Sequence, residues 1–345
     1  MLGDARSFVT AVPLPLILIQ SSERIEAAND AAKRLFGDGI ELRHYMTALR
    51  NPDLLSMIEA SLRDGKPREI EYLTSLDQQE VMFRAYARRL SLENGAGLLI
   101  SFEDISHLEH IGQIRRDFVA NVSHELRTPL TALMGFIETI KGPAREDPEA
   151  RDRFLSTMEA EAQRMNRLVG DLLSLSRVQA EARVRPTDRV DPAEVIRSVM
   201  LRLEPIATES DVTLECELPE KPVKIVADAD QLHQIMTNII ENGIKYSGAG
   251  CEVAVKLDGP LYDPRLRCQA VEITVRDNGP GIEAFHLPRL TERFYRVDDH
   301  RSREMGGTGL GLAIVKHIVA RHRGRMKADS SVGSGTQFRI YLPVN

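Results

Sequence analysis

Between residues 107 and 140 apolar side chains recur at Ile111, Ile114, Phe118, Val122, Leu126, Leu130, Leu133, Ile137 and Ile140. A spacing of three or four marks one stripe of a helix about 50 Å long at ~1.5 Å per residue. Residues 141–152 are polar and contain Gly142, Pro143 and Pro148. Phe154, Met158, Met165, Leu168, Leu172 and Leu175 then resume the period, so the segment reads as a helical hairpin. One hairpin cannot bury so long a stripe, and pairing two copies into a four-helix bundle is the natural solution. Pro129 falls inside the first helix, where it crowds the Glu125 carbonyl and predicts a bend, a passive kink or a hinge.

The flanking regions alternate differently. Leu16-Ile17-Leu18-Ile19 predicts a strand, and Asn29 is a plausible N-cap for a helix-rich stretch. Val81, Phe83, Ala85 and Ala87 alternate with Met82, Arg84, Tyr86 and Arg88, and residues 97–102 follow a turn at Glu93-Asn94-Gly95, as an antiparallel hairpin would. The first hundred residues therefore read as α+β. From about residue 190, runs such as Val223–Val226 and Val271–Val275 mix with amphipathic helices, which predicts an α/β layer.

A chain of 345 residues is long enough for two or three domains with separate cores. A formal net charge of -6 argues against direct binding to nucleic acid. Cys216, Cys251 and Cys268 are scattered and odd in number, which suits reduced thiols in a reducing compartment. The longest apolar run, Val12 to Ile19, carries two prolines and is far below the ~20 residues of a membrane-spanning helix. Nothing near Met1 resembles a signal peptide. The expected location is cytoplasmic, with any membrane association made through a segment or partner not in this chain. His44 reads as ordinary surface, and His107 with His110 lack an evident third ligand for a metal.

His124 is displaced from Val122 and Leu126 by two steps of about 100° each, so its imidazole points away from the apolar stripe. Imidazole is mostly neutral at pH 7 and can attack phosphorus through one nitrogen. Glu125 can hydrogen-bond the other nitrogen, and Thr128 lies one turn away. Farther on, a Gly-x-x-x-x-Gly-Lys-Ser/Thr loop is absent, and Gly307, Gly309 and Gly311 have the wrong spacing for a dinucleotide fingerprint.

The order Ser123-His124-Glu125-Leu126-Arg127-Thr128-Pro129-Leu130, Asn242, Asp277-Asn278-Gly279-Pro280-Gly281, Phe294-Tyr295-Arg296 and Gly307-Thr308-Gly309-Leu310-Gly311 resembles the sensor histidine kinases of two-component systems. The likeness covers roughly residues 107 to 345, and the run Phe118–Glu125 is most similar to phosphate-regulon sensors. Arg24–Asn29 and the exit Asp104 make the first region similar to a PAS sensor domain, read here as serving dimerisation and protein contact rather than a ligand. The resemblance implies a multidomain α+β chain: a PAS-like sensor at 1–105, a dimerisation and phosphoacceptor hairpin at 106–185, and an α/β sandwich of the Bergerat type, which binds ATP, at 186–345. It implies that His124 receives a phosphoryl group from ATP and passes it to an aspartate of a response regulator. Glu125 is the implied base, and Thr128 helps water dephosphorylate that regulator. The implied assembly is a homodimer.

For the nucleotide, the amide oxygen of Asn242 suits Mg²⁺, a hard ion, and Lys245 suits phosphate. Tyr246 flanks the adenine, and Asn238 assists from one turn earlier. Asp277 accepts from the adenine amino group, and Gly279 and Gly281 permit close backbone approach. Phe294 belongs to the Phe motif. Arg296 to Gly306 reads as a lid with Arg301 and Arg303 available for phosphate and Gly307, Gly309 and Gly311 as its hinge. Gly243 stands where the family commonly has alanine, which predicts a helix weakened by up to ~1 kcal/mol and looser packing. Two other classes fit the chain less well: an ATP-binding scaffold or phosphatase with little kinase activity, and an ATPase driving a nucleic-acid machine.

Overall fold

The computed structural model describes residues 2–76, 79–92, 95–181, 184–298 and 307–345, in two compact units, 1–120 and 121–345. In the first, α1 (Leu2–Ala11) is followed by β1 (Leu16–Gln20), β2 (Ile25–Ala28), α2 (Asp30–Phe36), α3 (Tyr45–Ala48), α4 (Pro52–Asp64), β3 (Arg68–Leu76), β4 (Gln79–Leu92) and β5 (Gly95–Asp104). The strands form one antiparallel sheet in the order β2-β1-β5-β4-β3. Period-two alternation sends Ile17, Ile19, Ala85, Ala87, Ile100 and Phe102 into a core closed by Tyr45, Leu54 and Ile58 of the helices. On the other face Leu16, Leu18 and Ala27 meet Val9 of α1.

Asn29 is the expected N-cap, and it does more. Its Oδ1 accepts from the Ala32 and Leu16 amides at 2.9 and 3.1 Å, while Nδ2 donates to the Val12 and Leu14 carbonyls. This buried amide fixes the start of α2 to the chain entering β1. His44 caps α3, and its Nε2 lies 2.9 Å from a Glu23 carboxylate oxygen. The β4–β5 pairing forms as the alternation predicts.

α5 (Ser106–Lys141) runs unbroken through Pro129. In the second unit it turns back into α6 (Pro148–Ala180), whose start is set by Pro148 and by the Asp147 side chain accepting from Ala150 N. Phe136 and Phe154 stack across the hairpin at 5.5 Å. Leu168, Leu175 and Val178 are buried, whereas Leu130, Met134, Ile137, Leu155, Val169 and Leu173 are exposed. The hairpin therefore leaves a long apolar face uncovered, as the stripe requires.

Beyond it come β6 (Arg189–Val190), α7 (Pro192–Glu209), β7 (Val212–Glu217), β8 (Ile225–Val226), α8 (Ala229–Ser247), β9 (Cys251–Asp263), β10 (Cys268–Asp277), α9 (Gly311–Arg321), β11 (Arg325–Ser330) and β12 (Thr336–Pro343). The main sheet is ordered β11-β12-β10-β9-β7, with β7 and β9 parallel and the other pairs antiparallel. Val253, Val255, Ile273, Val275 and Ile340 line its buried face, and Ile196, Ile235, Ile239, Ile240 and Ile314 supply buried apolar groups from α7, α8 and α9. Val271–Val275 lies in β10, and Ile225–Val226 pairs with β6.

Gly243 departs from the expectation of looser packing. It is buried, and a Cβ there would lie 3.1 Å from both Val253 methyl carbons, tighter than ordinary contact. The missing side chain lets α8 sit close on β9.

Candidate active site

His124 lies on the exposed surface of α5, as its helical angle predicts, and Thr128 Oγ1 donates to the His124 carbonyl at 3.2 Å. The imidazole makes no hydrogen bond with a described residue. Glu125, next along the helix, turns inward, and its Oε2 accepts from Arg164 of α6 at 3.1 Å and from Arg296 at 2.9 Å. The expected bond from Glu125 to the His124 ring is thus replaced by a carboxylate held between two guanidiniums. Arg296 is 4% exposed, Glu125 and Arg164 each 13%. Pro129 is buried beside this cluster, next to the half-buried Met165 and the buried Leu168.

A cavity of about 570 Å³ opens between α8 and the glycine-rich segment. Its wall includes Asn238, Asn242, Lys245, Tyr246 and Asp277, with Gly307, Gly309 and Gly311 across from them and Val275, Ile282, Leu290 and Phe338 supplying apolar surface. Positions 238, 242, 245 and 246 recur on one face of α8, which is why a single helix delivers four polar side chains to one cavity. Asn238 Nδ2 donates to the Gly311 carbonyl at 3.2 Å, joining α8 to the start of α9. Asn242 has no hydrogen-bond partner among the described residues. Lys245 Nζ pairs with Glu241 at 2.8 Å within α8.

Asp277 ends β10, and its Oδ1 accepts from Gly279 N at 3.0 Å and Thr336 N at 3.1 Å. Burial pushes its carboxyl above the usual range, against the opposing pull of those amides. The side chain is therefore fixed in direction at the wall.

Gly279 and Gly281 are required by the packing of the protein's own backbone. A Cβ at Gly279 would lie 2.5 Å from Ser247 Cα, and one at Gly281, where φ is +73°, would strike the Ser331 carbonyl. Neither lines the cavity; both let the protein's own backbone close behind Asp277. Phe294 is likewise outside the wall, and its backbone N–H donates to the Gly309 carbonyl at 2.8 Å. Arg301 and Arg303 lie outside the described residues.

Four residues absent from the expected site join it in space. Arg164 and Arg296 hold Glu125, and Asp171 of α6 accepts from the Thr308 hydroxyl at 2.6 Å. Arg296 and Thr308 stand inside recognisable motifs, so their positions were visible but their partners were not. Arg164 and Asp171 sit on a helix whose periodicity speaks only for its apolar residues. Among the described residues no group of three or more His, Cys, Asp or Glu side chains is placed to hold a metal ion. A cation here would depend on Asn242 and on oxygens of a bound nucleotide.

Two stretches of the chain match known families. Residues 114–181 match the His Kinase A (phospho-acceptor) domain, and residues 227–345 match the histidine kinase-, DNA gyrase B-, and HSP90-like ATPase. The chain is 35% identical over 343 residues to the sensor protein kinase WalK of Staphylococcus aureus strain Newman, covering 98% of this chain and 54% of that one. A second WalK from Staphylococcus aureus is 34% identical, with 98% and 80% covered. The chain thus spans about half the length of several curated relatives it matches. These relatives are WalK kinases and lend no support to the narrower likeness to phosphate-regulon sensors.

Among solved structures, the histidine kinase ThkA in complex with the response regulator protein TrrA aligns with a TM-score of 0.53 at 19% identity, covering 97% of this chain and 96% of that one. That likeness speaks for the fold. With a phosphoacceptor hairpin, an ATPase layer and WalK relatives at this identity, the chain belongs to the sensor histidine kinases of two-component systems.

Proposed function

We propose that this protein is an ATP-dependent histidine kinase that phosphorylates His124 and passes the phosphoryl group to an aspartate of a response regulator. The observation that carries the reading is Glu125. It adjoins the exposed His124 on α5 and is bound by Arg296, a residue of the cavity wall, so phosphoacceptor and nucleotide site meet through one side chain.

In the proposed reaction one imidazole nitrogen attacks the γ-phosphorus, the bond from that phosphorus to the bridging oxygen breaks, and ADP leaves with its electron pair. Positive charge grows on the ring, and Glu125 takes up or stabilises the proton on the other nitrogen. Asp277 selects adenine through the exocyclic amino group, Tyr246 flanks the base, and Lys245 exchanges Glu241 for phosphate. Asn242, with Asn238 one turn earlier, would hold Mg²⁺, which when bound would offset the charge on the phosphate oxygens. Arg301 and Arg303 complete the phosphate contacts in this reading, and Gly307, Gly309 and Gly311 form the lid hinge.

Thr128, one turn from His124, positions water for dephosphorylating the same regulator, which makes the enzyme bifunctional. A fold relative solved with a response regulator supports the partner class. The uncovered apolar face of α5 and α6 supports a homodimer through a four-helix bundle. Residues 1–105 serve as a PAS-type sensor: strands, short helices and a long hairpin leading into α5 follow the expected succession. Residues 106–185 and 186–345 are the phosphoacceptor and catalytic domains.

The test is incubation with γ-labelled ATP and Mg²⁺. Label that is acid labile, alkali stable and absent from His124→Ala supports the kinase. ATP binding without label would make the chain an ATP-binding scaffold or phosphatase.

A further inference from the structure

Arg296 stands between two acceptors. One terminal nitrogen holds Glu125 Oε2 at 2.9 Å, where Arg164 also donates. Its Nε is buried without a hydrogen-bond partner, although the residue lines the nucleotide cavity. A guanidinium 4% exposed with an unmade bond is costly, and the cavity is the place where an acceptor can complete it. The natural acceptor for a planar five-donor fork is a phosphate.

Glu125 is correspondingly overcommitted. Two guanidiniums share one of its oxygens, so the carboxylate is held between α6 and Arg296 rather than bonded to the His124 ring. Arg164 has a second acid in reach, Glu161 at 3.6 Å on its own helix, and can remain paired if Glu125 leaves.

We propose that Arg296 is a positioning residue shared in competition between Glu125 and the terminal phosphate of the nucleotide, so that a triphosphate draws Arg296 off Glu125 and returns the carboxylate to His124. This rests on the kinase reading and adds a coupling to it: the nucleotide that supplies the phosphoryl group also releases the base. Linkage makes the effect reciprocal. If phosphate weakens the Glu125 pair, removing Glu125 must tighten phosphate binding by the same factor.

Calorimetric titration with ADP and with a β,γ-imido triphosphate analogue tests this without turnover. Glu125→Gln is expected to tighten the triphosphate analogue by about tenfold, a usual size for such coupling, while ADP is unchanged. Arg296→Ala is expected to weaken the triphosphate and to abolish the gain in the Glu125→Gln, Arg296→Ala double variant. Arg296→Lys, which keeps the charge and loses the fork, guards against a variant that fails to fold and should retain only part of the gain. An unchanged triphosphate affinity in Glu125→Gln overturns the proposal, as does a gain that persists without Arg296. Wild-type protein that binds neither nucleotide would instead sink the kinase reading itself.

Discussion

The Thr308 hydroxyl donates to an Asp171 carboxylate oxygen at 2.6 Å, tying the centre of the glycine-rich segment to the second hairpin helix. Burial raises the Asp171 carboxyl above its ordinary value despite that bond, with Glu241 adding to the rise and Lys245 and Arg167 opposing it. Ionised Asp171 is therefore a cost to the folded chain at neutral pH. Asp171→Asn keeps an acceptor for Thr308 and removes the charge. It should melt higher than wild type at pH 8, and the difference should shrink as pH falls through the raised value toward the unfolded one. Melting curves across that range check the sign.

Asp277 meets the same burial, and in the proposed function it must stay ionised to accept from adenine. With its carboxyl raised by burial, nucleotide affinity should then fall on acidification sooner than an ordinary carboxylate would dictate. Asp277→Ala should lose ~1.5–3 kcal/mol, about 10- to 150-fold in Kd for ATP. Fluorescent-nucleotide titration from pH 7 downward should show the wild-type loss, with the variant weak throughout.

Gly279→Ala places a methyl carbon 2.5 Å from Ser247 Cα, where backbone must move. The expected destabilisation is ~1–3 kcal/mol, in the range of overpacked cores. Urea unfolding measures it, and the same variant should bind nucleotide more weakly because Asp277 shifts with the turn.

Leu130 and Ile137 are 51% and 40% exposed on one side of α5. If this face makes the bundle, charging it with Leu130→Glu and Ile137→Glu should convert a dimer to a monomer. Sedimentation velocity distinguishes the two, and a wild-type monomer would refute the bundle.

Thr128 points its hydroxyl to the His124 carbonyl, and the proposed function gives it no part in the forward transfer. Thr128→Ala should therefore retain autophosphorylation while slowing loss of label from a phosphorylated regulator by tenfold or more, about the contribution of a positioned water. Loss of both activities together would remove Thr128 from the phosphatase role.

Much of the architecture was legible because it is periodic. A three-and-four repeat announced both hairpin helices, alternation announced β4 and β5, and Asn29 marked a helix start that the structure places where expected, whereas the second hairpin helix begins at Pro148, inside the stretch read as a polar break. Gly243 was misread, since propensity counts what a missing side chain costs the helix and is blind to the Val253 methyls that need the space. For Gly279 and Gly281 the structure adds a demand that the motif does not spell out, since their own backbone neighbours leave no room for a Cβ.

What the sequence alone determined are the residue types at helical and strand spacing: an exposed His124 with Glu125 beside it, four polar side chains on one face of α8, and a carboxylate at the end of a strand. What only the tertiary structure decided is which of them touch. Glu125 and Arg296 are separated by 171 positions, and Asp171 and Thr308 by 137. No local period carries such pairings, because they arise when separately folded layers bury charges that must then find each other.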